Sequence, residues 1–282
     1  MRAIDMHVHP GTREYLVEGG GTYLSAAMDY FHKHDAVVDL EEMAAYYRRA
    51  DMIAVLLAWD AETHTGLPPV TNDYVAETVK AYPDCFIGFA SVDPWKGVLA
   101  TRELERAVLN LNLRGLKCHP IAQAFFPNDR RFYPLWETCQ GLGVPLLLHT
   151  GMTGVGAGVP GGNGLKLKYA QPIPYIDDIA ADFPRLTIIG AHPSWPWQEE
   201  MLAIATHKTN VYIDLSGWSP KYFSPSLIRY ANTILQDRVL FGSDYPFLTP
   251  DRWLSDFEKA GFKPEVMDKI LLQNAKRLLG IL

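Results

Sequence analysis

The chain has 282 residues, is 48% hydrophobic and carries a formal net charge of -6, with no run of lysines or arginines. That suits one large domain or two smaller ones, and argues against nucleic acid as the main partner. No apolar stretch reaches membrane-spanning length, and the N-terminus runs straight into a strand-like segment with no charged and apolar leader. Cys85, Cys118 and Cys139 are widely spaced, form no CxxC pair or disulfide framework, and fit a reducing cytoplasm.

The first segment, Ile4-Asp5-Met6-His7-Val8-His9, reads as a strand stopped by Pro10-Gly11. Side chains alternate along a strand, so His7 and His9 share a face about 7 Å apart and can grip one cation if the strand end lies in a concavity. Taken alone the pair is weak, because short strands also carry histidines as satisfied partners. The segment from Gly11 to His34 is too long for a plain βα connection and is expected to form a lid or pocket wall. His32 and His34 within it read as solvated loop residues.

A regular alternation follows. Asp39 caps a helix through Arg49, with Glu42 completing a capping box. Met52 to Trp59 is a buried-strand run, Thr71 to Tyr82 a helix, Phe86 to Val92 a strand, Leu99 to Leu111 an amphipathic helix, and Leu113 to His119 a strand closed by Pro120. Phe132 to Leu142 is a helix and Val144 to His149 a strand. The glycine-rich Gly151 to Gly164 segment contains no GxxxxGK[ST] motif and reads as a mobile loop over the site. Then come a helix from Ile173 to Asp182, a strand from Leu186 to His192, a helix from Trp197 to Thr206, a strand from Val211 to Leu215, and a helix from Ser224 to Leu235. Val239 to Asp244 is the last strand, followed by helices from Asp251 to Ala260 and Pro264 to Leu279.

Eight apolar strands alternating with helices, with no linker between them, predict a single (β/α)8 barrel domain over residues 1–282. A doubly wound open sheet is the alternative, but no GxGxxG follows the first strand. In a barrel the C-terminal strand ends converge on one mouth. Those ends carry His7 and His9 on strand one, Lys117 and His119 on strand four, His149 on five, His192 on six and Asp244 on eight. Imidazole and carboxylate donors suit zinc and related divalent ions, and three histidines with one aspartate leave room for a water acidified by the metal.

This order resembles the amidohydrolase superfamily, and more closely its amidohydrolase-related branch, which includes aminocarboxymuconate semialdehyde decarboxylase. The resemblance extends to Val92-Asp93-Pro94, Gly115 to Pro120, His149-Thr150-Gly151, Gly242 to Pro246 and Asn274-Ala275. It implies that His7, His9, His149 and Asp244 hold the metal, that His192 polarises substrate or water, and that Asp244 takes a proton from that water. Lys117 occupies the place of the carboxylated lysine that bridges two metals in binuclear members. The branch resemblance favours one metal and an unmodified Lys117, whose free ammonium could bind an acidic group of the substrate. His119 reads as a further substrate contact or, equally, as a structural residue.

Trp59, Trp95, Trp195, Trp197 and Trp218 follow strand ends and could line a pocket for a small cyclic substrate. No arginine sits at a strand end, although Arg13, Arg130 and Arg131 lie in neighbouring loops. On that ground the first expectation is a hydrolase acting on an amide, ester or lactone of a small organic acid, and the alternative is a nonoxidative decarboxylase of an aromatic or unsaturated acid. The expected cofactor is one Zn²⁺, with Mn²⁺ as a substitute. The expected partner is a small-molecule substrate, with no nucleic acid or membrane, in a homodimer.

Overall fold

A computed structural model describes residues 1–281. Eight parallel strands lie side by side in chain order. They are β1 (Ala3–Val8), β2 (Met52–Leu57), β3 (Phe86–Ser91), β4 (Leu116–Cys118), β5 (Leu146–His149), β6 (Ile188–Ala191), β7 (Val211–Asp214) and β8 (Val239–Leu240). The last strand returns to the first. Met6 N–H donates to Phe241 O and Asp244 N–H to His7 O, both at 2.9 Å, so the sheet closes into the expected barrel.

Two apolar layers explain why the strands read as unbroken hydrophobic runs. Ile4, Met6, Val55, Leu57, Phe89, Leu147, Ile189 and Leu240 fill the barrel interior, where Ala275 and Leu279 of the C-terminal helix plug the lower end. Alternate residues, such as Ala54, Leu56, Leu116, Leu146 and Leu148, pack outward on the helices. Each large side chain removed from water in these layers stabilises the fold by about 1.5–3 kcal/mol. Cys85, Cys118 and Cys139 are buried thiols.

Helix starts follow local capping chemistry. Asp39 Oδ1 accepts from Glu42 N at 2.7 Å to open the helix Leu40–Arg49, and Thr71 Oγ1 accepts from Tyr74 N to open Asn72–Ala81. Helix ends follow tertiary contacts more closely than sequence pattern. The expected helix from Ser224 to Leu235 stops at Ala231, and the one from Asp251 to Ala260 spans Pro250–Phe257. The terminal helix is interrupted by a π turn, Lys269–Gln273. That turn releases the Ile270 carbonyl to accept from Phe241 N–H at 2.9 Å, which locks the helix under β8.

The segment after β1 is more regular than expected. It contains a π-helical turn, Glu14–Gly19, and an α-helix, Gly21–Tyr30, before it returns to the barrel. His32 and His34 within it are exposed, as expected. No helix among the described residues is long and apolar enough to cross a membrane.

Candidate metal centre

Strict alternation along β1 would place His7 and His9 with Ala3 and Asp5, facing the helices. Instead, three steps on β1 (Asp5 to Val8) match two on β2 (Ala54 to Leu56). This extra residue is a bulge, and it rotates everything that follows it. Ile4 and Met6 point into the barrel and Asp5 outward to Tyr47, yet Val8 joins the outer layer while His7 and His9 line the mouth. Asp5 anchors the distortion. Its carboxylate accepts from Ser243 N–H at 2.8 Å, Ser243 Oγ–H at 2.6 Å and Tyr47 O–H at 3.0 Å, tying β1 to the segment that carries Asp244.

Two other side chains reach the mouth through left-handed backbone. His192 has φ 70° and Asp244 has φ 71°. Neither residue adopts that region without cost, and such outliers gather at functional sites. Gly217 makes the space they need, because a Cβ there would meet His192 Nδ1 at 2.7 Å and Asp244 Oδ2 at 3.0 Å.

Each of the three expected histidine ligands has its Nδ1 committed to a partner. His7 Nδ1 donates to Asp214 Oδ2 at 2.8 Å, His9 Nδ1 lies 2.6 Å from Tyr15 Oη, and His149 Nδ1 lies 3.0 Å from His192 Nε2. With His192 Nδ1–H donating to Ser216 O at 3.0 Å, His192 Nε2 is an acceptor and His149 Nδ1 its donor. These assignments leave the Nε2 lone pairs of His7 and His149 aimed at the cavity; His9 Nε2 lies there as well, and its lone pair is free in the tautomer whose Nδ1–H donates to Tyr15 Oη. The His149 Nε2 atom is buried with no hydrogen-bond partner among the described residues.

A divalent cation fits this donor set. Asp244 Oδ1 lies 3.3 Å from His9 Nε2 and 3.7 Å from His7 Nε2. Donors bound at about 2.0–2.1 Å to one tetrahedral cation stand about 3.4 Å apart, so these spacings suit a shared ion. His7, His9 and Asp244 lie within 4.8 Å of one another, and His149 stands outside that tight group. His7, His192 and Asp214 form a second close group, but the His7–Asp214 contact at 2.8 Å is a hydrogen bond that orients the ring. Burial, and then the Lys117 charge, hold His7 well below its usual pKa. Burial and the neighbouring His119 do the same for His149. Neutral rings are the form a metal binds. Burial opposes ionisation of Asp244, but the His9 hydrogen bond and the surrounding histidines outweigh it and keep the carboxylate charged.

Lys117 is 2% exposed and donates from Nζ to His7 Nε2 at 3.1 Å. Burial pushes its pKa down to about 8, against the pull of Asp214 and Asp244. His119, expected to touch substrate, lines the cavity with both ring nitrogens occupied. Its Nδ1 accepts from Ala122 N–H, its Nε2 pairs with Thr153 Oγ1 at 3.2 Å, and its ring stacks on His149 at 3.9 Å. It therefore holds the His149 ring in place.

The cavity above this floor encloses about 640 Å³. Its walls come from the helix Gly21–Tyr30, the start of the Gly151 to Gly164 loop and the segment beyond Asp244. Of the five tryptophans expected at the rim, Trp59 and Trp218 line the cavity. Trp95 instead donates to Gln123 O at 2.7 Å. Arg13 pairs with Glu18, Arg130 with Asp182 and Arg131 with Asp129, all away from the cavity. Three contributors escaped the sequence reading. Asp214 was legible in principle, as the one charge closing an apolar strand, the same signal that marks His149. Tyr15, in the turn Glu14–Gly19, and Arg252, in the helix Pro250–Phe257, lie beyond the strand ends and carry no such signal.

The Amidohydrolase family profile matches residues 4–281. Gamma-resorcylate decarboxylase of Polaromonas sp. (strain JS666 / ATCC BAA-500) is 27% identical over 249 residues, 74% of this chain and 75% of that protein. An uncharacterized TIM-barrel protein from Bordetella bronchiseptica superposes with a TM-score of 0.82 at 27% identity, covering 99% of each chain. A dihydroxybenzoic acid decarboxylase from Polaromonas sp. JS666, solved with manganese and the inhibitor 2-nitroresorcinol, superposes with a TM-score of 0.68 at 22% identity, covering 99% of this chain and 97% of the other.

Proposed function

We propose, for a chain that belongs to the amidohydrolase family and is a metal-dependent enzyme of that superfamily, that its reaction is the nonoxidative decarboxylation of an aromatic acid. This reverses the order of the two expectations drawn from sequence. No arginine sits at a strand end, which by itself favours hydrolysis. Arg252, from the helix Pro250–Phe257, supplies one to the cavity wall. The observation that carries the reading is the charge of the cavity. Lys33, Lys117 and Arg252 line it, against Asp244 as the one carboxylate among the described lining residues, in a chain whose net charge is -6. Such a cavity selects an anion. The activity of the Polaromonas relative supports the same class of substrate.

In this reading His7, His9 and His149, each through Nε2, and Asp244 through Oδ1 hold one divalent cation, zinc or manganese. When bound, the cation acts as a Lewis acid that polarises and orients substrate oxygens. Asp214 and Tyr15 keep the His7 and His9 rings turned toward it. Lys117, as an unmodified ammonium, binds the acidic group of the substrate. A proton must replace the carboxylate on the ring. The carbon–carbon bond breaks, its electron pair stays on the ring carbon and takes the proton, and carbon dioxide leaves. Asp244 Oδ2 lies beside Gly217 and His192 and, ionised at rest, takes that proton from solvent and passes it to the ring carbon as the bond to the carboxylate breaks. His192, clamped between Ser216 and His149, sets the position of the acid group.

The test incubates metal-loaded protein with gamma-resorcylate and related hydroxybenzoates, and separately with small lactones and amides. Carbon dioxide release from a hydroxybenzoate, lost on chelation, is the expected result. Lactone or amide hydrolysis with no decarboxylation would restore the hydrolase reading.

A further inference from the structure

The cavity is larger than one benzoic acid requires, and its cations stand at two depths. Lys117 is buried at the floor beside His7, whereas Arg252 is exposed at the rim. The helix that carries Arg252 buries Trp253, Leu254 and Phe257 against the barrel, leaving Arg252 on its cavity side. The acidic residues of the same helix are committed elsewhere. Asp256 accepts from Ser219 Oγ–H at 2.6 Å, and Asp251 accepts from Tyr46 O–H at 2.9 Å. Among the described residues Arg252 therefore has no carboxylate partner, although it lines the cavity. Lys33 lines the same cavity from the segment after β1, where the nearby Asp29 pairs with His34.

We infer that Arg252 is a specificity residue, which receives a second anionic group on an aromatic substrate whose first carboxylate lies over the metal floor. The inference rests on the decarboxylase reading and adds to it the class of substrate, a ring with two acidic groups set apart from each other. The guanidinium offers a planar fork that matches a carboxylate in two parallel hydrogen bonds. An ammonium in the same place would give a point charge with less directional preference. Aromatic and aliphatic side chains of the cavity lining, Phe31, Trp218, Tyr222, Phe247 and Leu248 among them, suit the ring that joins the two groups.

The test measures binding to the metal-loaded full chain by calorimetry, so that turnover is not needed. Salicylate is the single-acid probe, and the isomeric hydroxybenzenedicarboxylates formed by adding one carboxylate to the salicylate ring are the two-acid probes. At least one isomer is expected to bind about tenfold tighter than salicylate. Arg252→Gln should erase that gain, and Arg252→Lys should restore part of it, with melting temperatures within error of the parent protein. If no isomer outbinds salicylate, or if the gain survives in Arg252→Gln, the distal subsite is refuted while the decarboxylase reading stands. If neither salicylate nor any isomer binds, and gamma-resorcylate is not turned over, both fall together.

Discussion

The floor and the roof of the cavity are built in different ways. On the floor, each functional ring is held by at least one short hydrogen bond to another buried group. Examples are His7 to Asp214, His192 to Ser216, and Asp5 gathering Ser243 and Tyr47 underneath. The roof is made by the segment after β1 and the loop after β5, which touch through few polar contacts. Gly156 N–H donates to Tyr23 O at 3.1 Å, Asn163 donates to Thr22 O at 3.3 Å, and the Phe31 ring lies directly over Gly154. An over-determined floor holds donor atoms to within tenths of an ångström, which metal binding and positioned chemistry require. A sparsely bonded roof has few contacts to break and can rearrange at lower cost than the floor. Floor substitutions should therefore change metal content and kcat, and roof substitutions mainly KM.

The largest effect should come from removing floor donors. Paired His7→Ala and His9→Ala substitutions are expected to lower metal content from about one divalent ion per chain to near zero, with activity at background. Elemental analysis beside the parent protein checks this, and equal metal in both would remove the pair from the donor set. Chelation of the parent protein should also abolish activity and lower its melting temperature, because a ligand that binds only the folded chain stabilises it.

His192→Asn separates positioning from ligation on the same floor. Metal should be retained while kcat falls on the order of 10²-fold. Near-normal kcat in a folded, metal-loaded variant would take His192 out of the mechanism, and metal loss would make it a ligand.

Asp214→Asn acts one bond further away. It keeps the shape but loses the charge that fixes the His7 ring, and metal affinity measured by chelator competition should weaken by about 10–100-fold. Unchanged affinity would reduce Asp214 to a structural partner of Ser216, whose N–H donates to Asp214 Oδ1 at 2.8 Å.

The smallest effect belongs to the roof. Phe31→Ala should raise KM by about three- to tenfold through lost apolar contact, with kcat and metal content close to the parent values. A comparable fall in kcat would mean that roof and floor act as one unit and would blur the division between them.

Much of this protein was legible in one dimension because strands and helices of a barrel are local patterns. Strands covered on both faces must be apolar along their whole length, so His7, His9, Lys117, His149, His192 and Asp244 stand out where those runs end. Capping pairs such as Asp39 with Glu42 mark helix starts for the same local reason. The direction each side chain faces was decided by tertiary structure. Alternation alone sends His7 and His9 to the helices, and only the bulge opposite Ala54 and Leu56, held by Asp5 and Ser243 across 238 residues of chain, turns them into the mouth. His192 arrives there through a left-handed φ that Gly217 makes room for. Asp214 enters the site because the barrel closes and brings the end of β7 to His7 across 207 residues of chain, whereas Tyr15 and Arg252 enter through the folding of the segments that follow His9 and Asp244. Ladder register and long-range hydrogen bonds depend on which residues meet across the fold, and a pattern read along one strand carries no record of that meeting.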